Sequence, residues 1–241
     1  MAATDIVVEA FTELAPRYAH AFDRELKAVW GIGYDGVISR LVEIVPIKSN
    51  DVVLDIATGT AQIPMSMVGR WDGGSVAVGL DITPAVLRCG LANIQARRLN
   101  SRIKLICASA MDMPFSEGFF DMVICGFAMH HLNVPKVLSE TRRVLKEGGH
   151  LVVASEVAPS FWRASIASAV LGIATPLCEM THQSARVQAE LAAITNIRTA
   201  TEWRTILSGF GFGEIEIVAE FAARRPWYPS AIALKATKKG H

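Results

Sequence analysis

From Asp51 onward the chain alternates short β-rich runs with stretches of helical periodicity, and that alternation restricts it to βαβ units built on a parallel sheet. The first run, Val52-Val53-Leu54-Asp55-Ile56, is apolar except for one acid, as expected of a strand buried on both faces at the centre of such a sheet. A helix over about 61–70 follows, with Pro64 tolerable in its first turn, and it stops at Asp72-Gly73-Gly74. Further strands are expected at 75–81, 103–107, 119–125 and 151–154. Thr83 is placed to cap a helix that opens at Pro84 and runs to about 98, and 134–146 forms another, ended by Gly148-Gly149. The tail regains β character at 213–218 and 231–236, which completes seven strands.

The expected fold is α/β: one domain with a doubly wound, mostly parallel seven-stranded sheet. Residues 1–48, with Val37, Leu41 and Ile44 at helical spacing, form a helical N-terminal cover, and 49–158 form the core. Residues 159–200 form an Ala-rich helical insert or lid, and 201–241 a last helix and two edge strands.

Bulk properties exclude several classes. Over 241 residues, 24 Lys and Arg against 23 Asp and Glu leave a formal charge of +1, which offers no footprint for nucleic acid. Hydrophobic residues make up 51%, enough for a large core. Cys89, Cys107, Cys125 and Cys178 lack CxxC spacing, so reduced thiols in a cytoplasmic protein are expected, with no metal site. The start of the chain, with Asp5 and Glu9, has no signal-peptide pattern. The longest uncharged stretch, 164–178, is interrupted by Pro176 and falls short of the ~20 residues of a membrane span. It reads as a buried, pocket-lining or dimer-forming helix. His182 reads as a surface residue and Lys238-Lys239 as a solvated end.

In open α/β sheets ligands sit beyond the carboxyl ends of the strands, where strand order reverses. The first such turn is Asp55-Ile56-Ala57-Thr58-Gly59-Thr60-Ala61, in which Gly59 lets a ligand approach the backbone. Asp55 ends an otherwise apolar strand, where burying a charge is costly unless a partner such as a cationic amino acid moiety meets it. Asp81 ends the next strand, 26 residues further on, where a carboxylate can accept both hydroxyls of a ribose. A pyrophosphate-binding loop usually reads G-x-G-x-x-G; with Gly59 in the middle, the outer positions are Ala57 and Gln62. That disfavours a dinucleotide and suits S-adenosylmethionine, which has no phosphate. The plainer alternatives are that both acids only cap the following helices and that Gly59 is only a turn glycine.

At these positions the chain resembles the class I S-adenosylmethionine-dependent methyltransferases, and most closely their quinone-biosynthesis C-methyltransferase branch. The resemblance runs from about Phe11 to Ala154: an F-x-x-x-A-x-x-Y segment ending at Tyr18, V-L-D-x-A-x-G-T from Val53 to Thr60, and Gly79-Leu80-Asp81-Ile82. It continues through Met113-Pro114-Phe115, Phe120-Asp121-Met122-Val123, and Arg143-Val144-Leu145-Lys146 before Gly148-Gly149. It implies that Asp55 and Ala57, Thr58, Gly59 and Thr60 hold the methionine part, and Asp81 the ribose. Ile82 would cover one face of the adenine, with Ser109, Ala110 and Met111 around its edge and Cys125 also among the cofactor contacts. The family commonly has Asp at the place of Ser109 and Gly at the place of Ala61.

Where the quinone branch reads G-L-R-N, this chain reads Ala128-Met129-His130-His131, beside the transferred methyl group as the resemblance implies. His130 and His131 are the catalytic candidates, with His130 as a base and His131 the more structural of the two. Tyr18 can reach the substrate from the N-terminal cover or simply belong to its core. The expected activity is methyl transfer from S-adenosylmethionine to carbon or oxygen of a small, largely apolar acceptor. The alternatives are a cyclase or noncatalytic binding protein on the same fold, or an NAD-dependent oxidoreductase.

Overall fold

The computed structural model describes residues 3–71, 74–157, 185–194, 196–226 and 228–240. The N-terminal cover is α1 (Ala3–Leu14), a single 3-10 turn (Ala15–Arg17), α2 (Tyr18–Trp30) and α3 (Tyr34–Glu43). Gly31 ends α2 at φ 75°, in the left-handed conformation that a residue without Cβ adopts at little cost. The core then runs β1 (Val52–Ile56), α4 (Gln62–Val68), β2 (Val76–Asp81), α5 (Pro84–Ala96), β3 (Ile103–Cys107), β4 (Phe120–Gly126), α6 (Val134–Val144) and β5 (Leu145–Val157). The later described elements are α7 (Ala185–Ile194), which falls within the expected insert, then α8 (Ala200–Gly209), β6 (Phe212–Phe221) and β7 (Ser230–Lys238).

The seven strands form one sheet in the order β3-β2-β1-β4-β5-β7-β6, with β7 antiparallel to both neighbours and the other pairs parallel. Strand order reverses between β1 and β4, so the crevice beyond their carboxyl ends is where the architecture leaves room for a ligand. The doubly wound sheet expected from the alternation is the one observed, and β1 and β3 fall on the expected residues.

The central strand shows why it is apolar along its length. Leu54 and Ile56 pack on one face with Val137 and Leu138 of α6 and Trp203 and Leu207 of α8. Val53 packs on the other with Val37 and Leu41 of α3 and Ile63 and Met67 of α4. Both faces are dry, so alternation has no solvent side to record.

Several motif residues fasten loops. Glu140 and Arg143 make a fork at 2.6 and 2.7 Å, and Arg143 reaches the carbonyls of Phe115 (2.6 Å) and Met113 (2.9 Å) while Glu140 accepts the Met113 N–H at 2.7 Å. Asp121 accepts the Val52 N–H at 2.9 Å and pairs with Lys146 at 2.6 Å.

Two expectations are corrected. The helix ends at Val144 and strand pairing resumes at once, with Leu145 opposite Phe120 before the register shifts to His150 opposite Met122. The Lys146–Asp121 pair lies across this crossing, and a Cβ on Gly149 would come within 3.0 Å of the Asp121 and Lys146 carbonyls, so the two glycines belong to a ladder irregularity inside β5 and do not stop the helix, which ends four residues before them. Lys238 is not solvated: it is 4% exposed, with Nζ donating to the Leu145 carbonyl at 2.8 Å and pairing with Glu147 at 2.9 Å. The expectations for 164–178, Cys178 and His182 fall outside the described residues.

Helix α8 opens with a capping box, in which the Thr199 hydroxyl accepts the Glu202 N–H and Glu202 accepts the Thr199 N–H. Thr199→Ala is expected to cost about 1 kcal/mol, read as a melting temperature lowered by roughly 2–4 °C in scanning calorimetry.

Candidate functional site

A cavity of about 690 Å³ lies beyond the strand ends, between the turn after β1 and the helical covers. Its floor is the turn Ala57-Thr58-Gly59, with Asp81 and Ile82 after β2 and Ser109, Ala110 and Met111 after β3. The turn is tight. Ala57, Gly59 and Ala61 all have positive φ (55°, 56° and 64°), so this chain holds left-handed geometry with alanine at two positions where glycine would be easier. The Thr58 N–H donates to the Leu80 carbonyl at 3.0 Å, and Thr58 lies against Gly79: a Cβ there would meet its side chain at 2.7 Å and Leu105 at 2.8 Å.

Asp81 locks two loops together. One carboxylate oxygen accepts the Gly59 N–H at 2.9 Å and the other the Thr83 N–H at 2.8 Å. It bonds the Thr83 N–H just ahead of α5, a helix with no side-chain cap bond, and also opens onto the cavity. Desolvation raises its pKa above the usual carboxylate value, opposed by those backbone bonds.

Asp55 lies beneath the turn and is not part of the cavity wall. It is 1% exposed and accepts the Thr58 hydroxyl at 2.6 Å, while its Oδ1 is buried without a hydrogen-bond partner. Burial pushes its pKa up to about 8, Thr58 opposes the shift, and the Asp81 carboxylate adds to it. A dry acid with an unmatched oxygen, a few residues below an open turn, suits a ligand that brings positive charge. The two acids act on each other electrostatically and flank the same turn. Thr60 and Cys125 stay behind the wall: Thr60 is 4% exposed, and Cys125 is fully buried within β4, its thiol pKa raised by desolvation.

The roof is aromatic. Tyr18 comes down over the β1 turn, so close that a Cβ on Gly59 would lie 3.0 Å from its hydroxyl. It packs on Phe22 at 4.6 Å between ring centres, and Phe22 and Tyr34 stack at 5.9 Å. Phe11 presents its edge to His131 at 5.5 Å. Burial raises the Tyr18 pKa well above the ordinary phenol value, and Tyr34, Asp81 and Asp55 add to the effect.

At the far end, a short 3-10 turn after β4 (Met129–His131) places both histidines in the wall. Glu156, at the end of β5, brings Oε2 to 3.0 Å from His130 Nδ1, off the line of a well-directed hydrogen bond. Glu190 of α7 stands 4.0 Å from His130 Nε2 and 3.8 Å from His131 Nε2. These donor atoms of His130, His131 and Glu190 fall within 4.8 Å of one another. Burial disfavours a charged His130, but Glu156 and Glu190 outweigh it and raise its pKa. Burial, helped by His130, pushes the His131 pKa down to about 3, which leaves that ring neutral.

The sequence reading did not single out Glu156, Glu190, Arg186, Phe22 or Tyr34. Glu156 had a signal, since it stands at the carboxyl end of a strand, the edge at which open α/β sheets take their ligands. Arg186, which pairs with Glu25 at 2.5 Å and lies 5.5 Å over the Phe22 ring, belongs to α7, whose docking no local pattern announces.

Comparison with known proteins agrees with this geometry. Residues 54–153 match the family described as "Methyltransferase domain". The chain is 30% identical over 145 residues to the ubiquinone/menaquinone biosynthesis C-methyltransferase of Geobacter sp. (strain M21), which covers 59% of this chain and 60% of that protein. It is 33% identical over 149 residues to the demethylmenaquinone methyltransferase of Thermus thermophilus, covering 59% and 62%. The chain thus aligns with about three fifths of the length of each. Among solved structures, a Bacillus halodurans protein described as a putative methyltransferase superposes with TM-score 0.61 at 22% identity, over 84% of this chain and 99% of that one.

The seven-stranded sheet and its switch-point crevice define a Rossmann-like α/β fold, shared with that Bacillus halodurans protein. Over residues 54–153 the chain is similar to the methyltransferase-domain family, and the two relatives named above carry quinone-methyltransferase names.

Two outcomes follow for the unliganded site. Asp55 binds its proton far more tightly folded than unfolded, where its pKa is about 4, so the folded state carries the extra proton between about pH 4 and 8 and stability falls as pH rises through that window. Melting curves from pH 5 to 9 are expected to show this decline, and Asp55→Asn to flatten it. Gly79→Ala is expected to cost roughly 1–3 kcal/mol in urea unfolding, because the new methyl displaces Thr58 from Asp55.

Proposed function

We propose that this chain is an enzyme that moves the methyl group of S-adenosylmethionine to carbon or oxygen of a small, largely apolar acceptor. The observation that carries the proposal is the opening of the Asp81 carboxylate, the Gly59 turn and His130 onto one apolar-roofed cavity. When bound, S-adenosylmethionine supplies an electrophilic methyl group on a sulfonium. Asp81 keeps lone pairs free on both oxygens after accepting Gly59 and Thr83, and these accept the ribose hydroxyls. Ile82, Ser109, Ala110 and Met111 surround the base. Ala57, Thr58, Gly59 and Thr60 shape the methionine end, with Asp55 attracting positive charge from beneath.

Phe11, Tyr18 and Phe22 exclude water and hold the acceptor in line, which is most of what a displacement on an already activated carbon needs. Tyr18 reaches across from the cover between the cofactor turn and the acceptor. His130 receives the acceptor's proton, and neutral His131 packs beside it. Cys89, Cys107 and Cys125 are free thiols, in keeping with a reducing cytoplasmic setting. Among the described residues no helix is long and apolar enough to cross a membrane.

Titration calorimetry tests the proposal directly. S-adenosylmethionine is expected to bind and to raise the melting temperature where NAD does not, and Asp81→Ala to weaken binding at least tenfold. Absence of binding by the unaltered protein would rule the function out.

A further inference from the structure

We propose that Glu156 is the positioning residue for His130: it holds the ring through Nδ1 so that Nε2 stays bare toward the cavity, while Glu190 from α7 steadies the positive charge that ring acquires. The inference rests on the methyltransferase reading and concerns how its base is made.

The position of Glu156 is hard to explain by stability alone. It stands at the end of a strand whose preceding residues Leu151, Val152, Val153 and Ala154 are fully buried, and its own side chain is only 20% exposed. A carboxylate in such a place costs several kcal/mol unless a cation meets it. His130, 8% exposed and 3.0 Å away, is the partner the structure offers. A carboxylate oxygen 3.0 Å from Nδ1 draws the ring proton to that nitrogen electrostatically, which leaves Nε2 as the acceptor.

Every charged group packed around the ring has a place in this arrangement. His131, its neighbour in the chain, stays neutral against Phe11. Glu190 faces Nε2 from α7, and Arg186, one turn earlier on that helix, is paired with Glu25 of α2. The Asn196 side chain fixes the His130 backbone by donating to its carbonyl at 3.1 Å. In the transfer step an electron pair of the acceptor, a lone pair on oxygen or a π pair on carbon, forms the bond to the methyl carbon, the carbon–sulfur bond breaks with its electrons remaining on sulfur, and the acceptor's proton goes to Nε2. Glu156 and Glu190 then flank an imidazolium, and both raise its pKa against the opposing effect of burial.

The test is ¹⁵N NMR of the histidine rings in the full chain from pH 5 to 9, with and without S-adenosylhomocysteine. His130 is expected to titrate above the ordinary imidazole value of about 6.5 and, when neutral, to carry its proton on Nδ1. Glu156→Gln should lower that titration point by a pH unit or more, a tenfold loss of proton affinity, and mix the tautomers. Glu156→Asp should restore most of both, and Glu190→Gln should lower the titration point less, without changing the tautomer.

A wild-type ring protonated on Nε2, or titrating below 6.5, overturns the inference without help from any variant. So does a Glu156→Gln protein whose ring signals match the wild type. Calorimetric binding of S-adenosylhomocysteine within twofold in all variants separates this result from failure of the methyltransferase reading, which would show as no binding in any of them.

Discussion

The site depends on one carboxylate that bonds to two backbones. Asp81 ties the Gly59 amide, in the turn after β1, to the Thr83 amide, at the start of α5, so the turn on the cavity floor and the helix beside it are held by the same side chain. Parallel β1 and β2 bring those amides within reach, and Gly79 on β2 leaves room for Thr58 to fold back against the sheet. The result is a preformed concave floor in which two acids lie close together out of water. Two carboxylates buried this close are unfavourable while both are charged, and that is part of what pushes the Asp55 pKa up to about 8.

The recognisable motifs divide into two kinds of work. Glu140, Arg143 and Asp121 touch no part of the cavity; they clamp the loop after β3 and the crossing into β5 with short charge-assisted bonds. The turn after β1 and the end of β2 form the floor itself. A sequence match alone does not separate these roles, because scaffold residues and site residues are specified equally strongly by the same fold.

Much of the architecture was legible because the residues that build it act locally. β1 and β3 follow from short apolar runs, α5 from Thr83 and Pro84, and the ligand-binding edge from the acids that end β1 and β2. What escaped was non-local. Lys238 looks like a solvated tail until the start of β5 supplies a carbonyl and Glu147 for it. β5 opens on a single buried apolar residue, Leu145 opposite Phe120, followed by the polar and glycine run 146–149, so periodicity places the strand too late. Glu156 and Glu190 meet His130 only because β5 and α7 converge on the turn after β4. His130 itself was visible, whereas the carboxylates that determine its charge were not.

The cavity is roofed by two helical elements from opposite ends of the fold, and Arg186 joins them by pairing with Glu25 while its guanidinium lies over Phe22. Glu25 is about half exposed, and ion pairs in such places are worth only about 0–1 kcal/mol, close to thermal energy. The clasp therefore sets the register between the two roof helices more than it bolts them shut. The pair can part and re-form without disturbing the hydrophobic core, and higher salt will weaken it first.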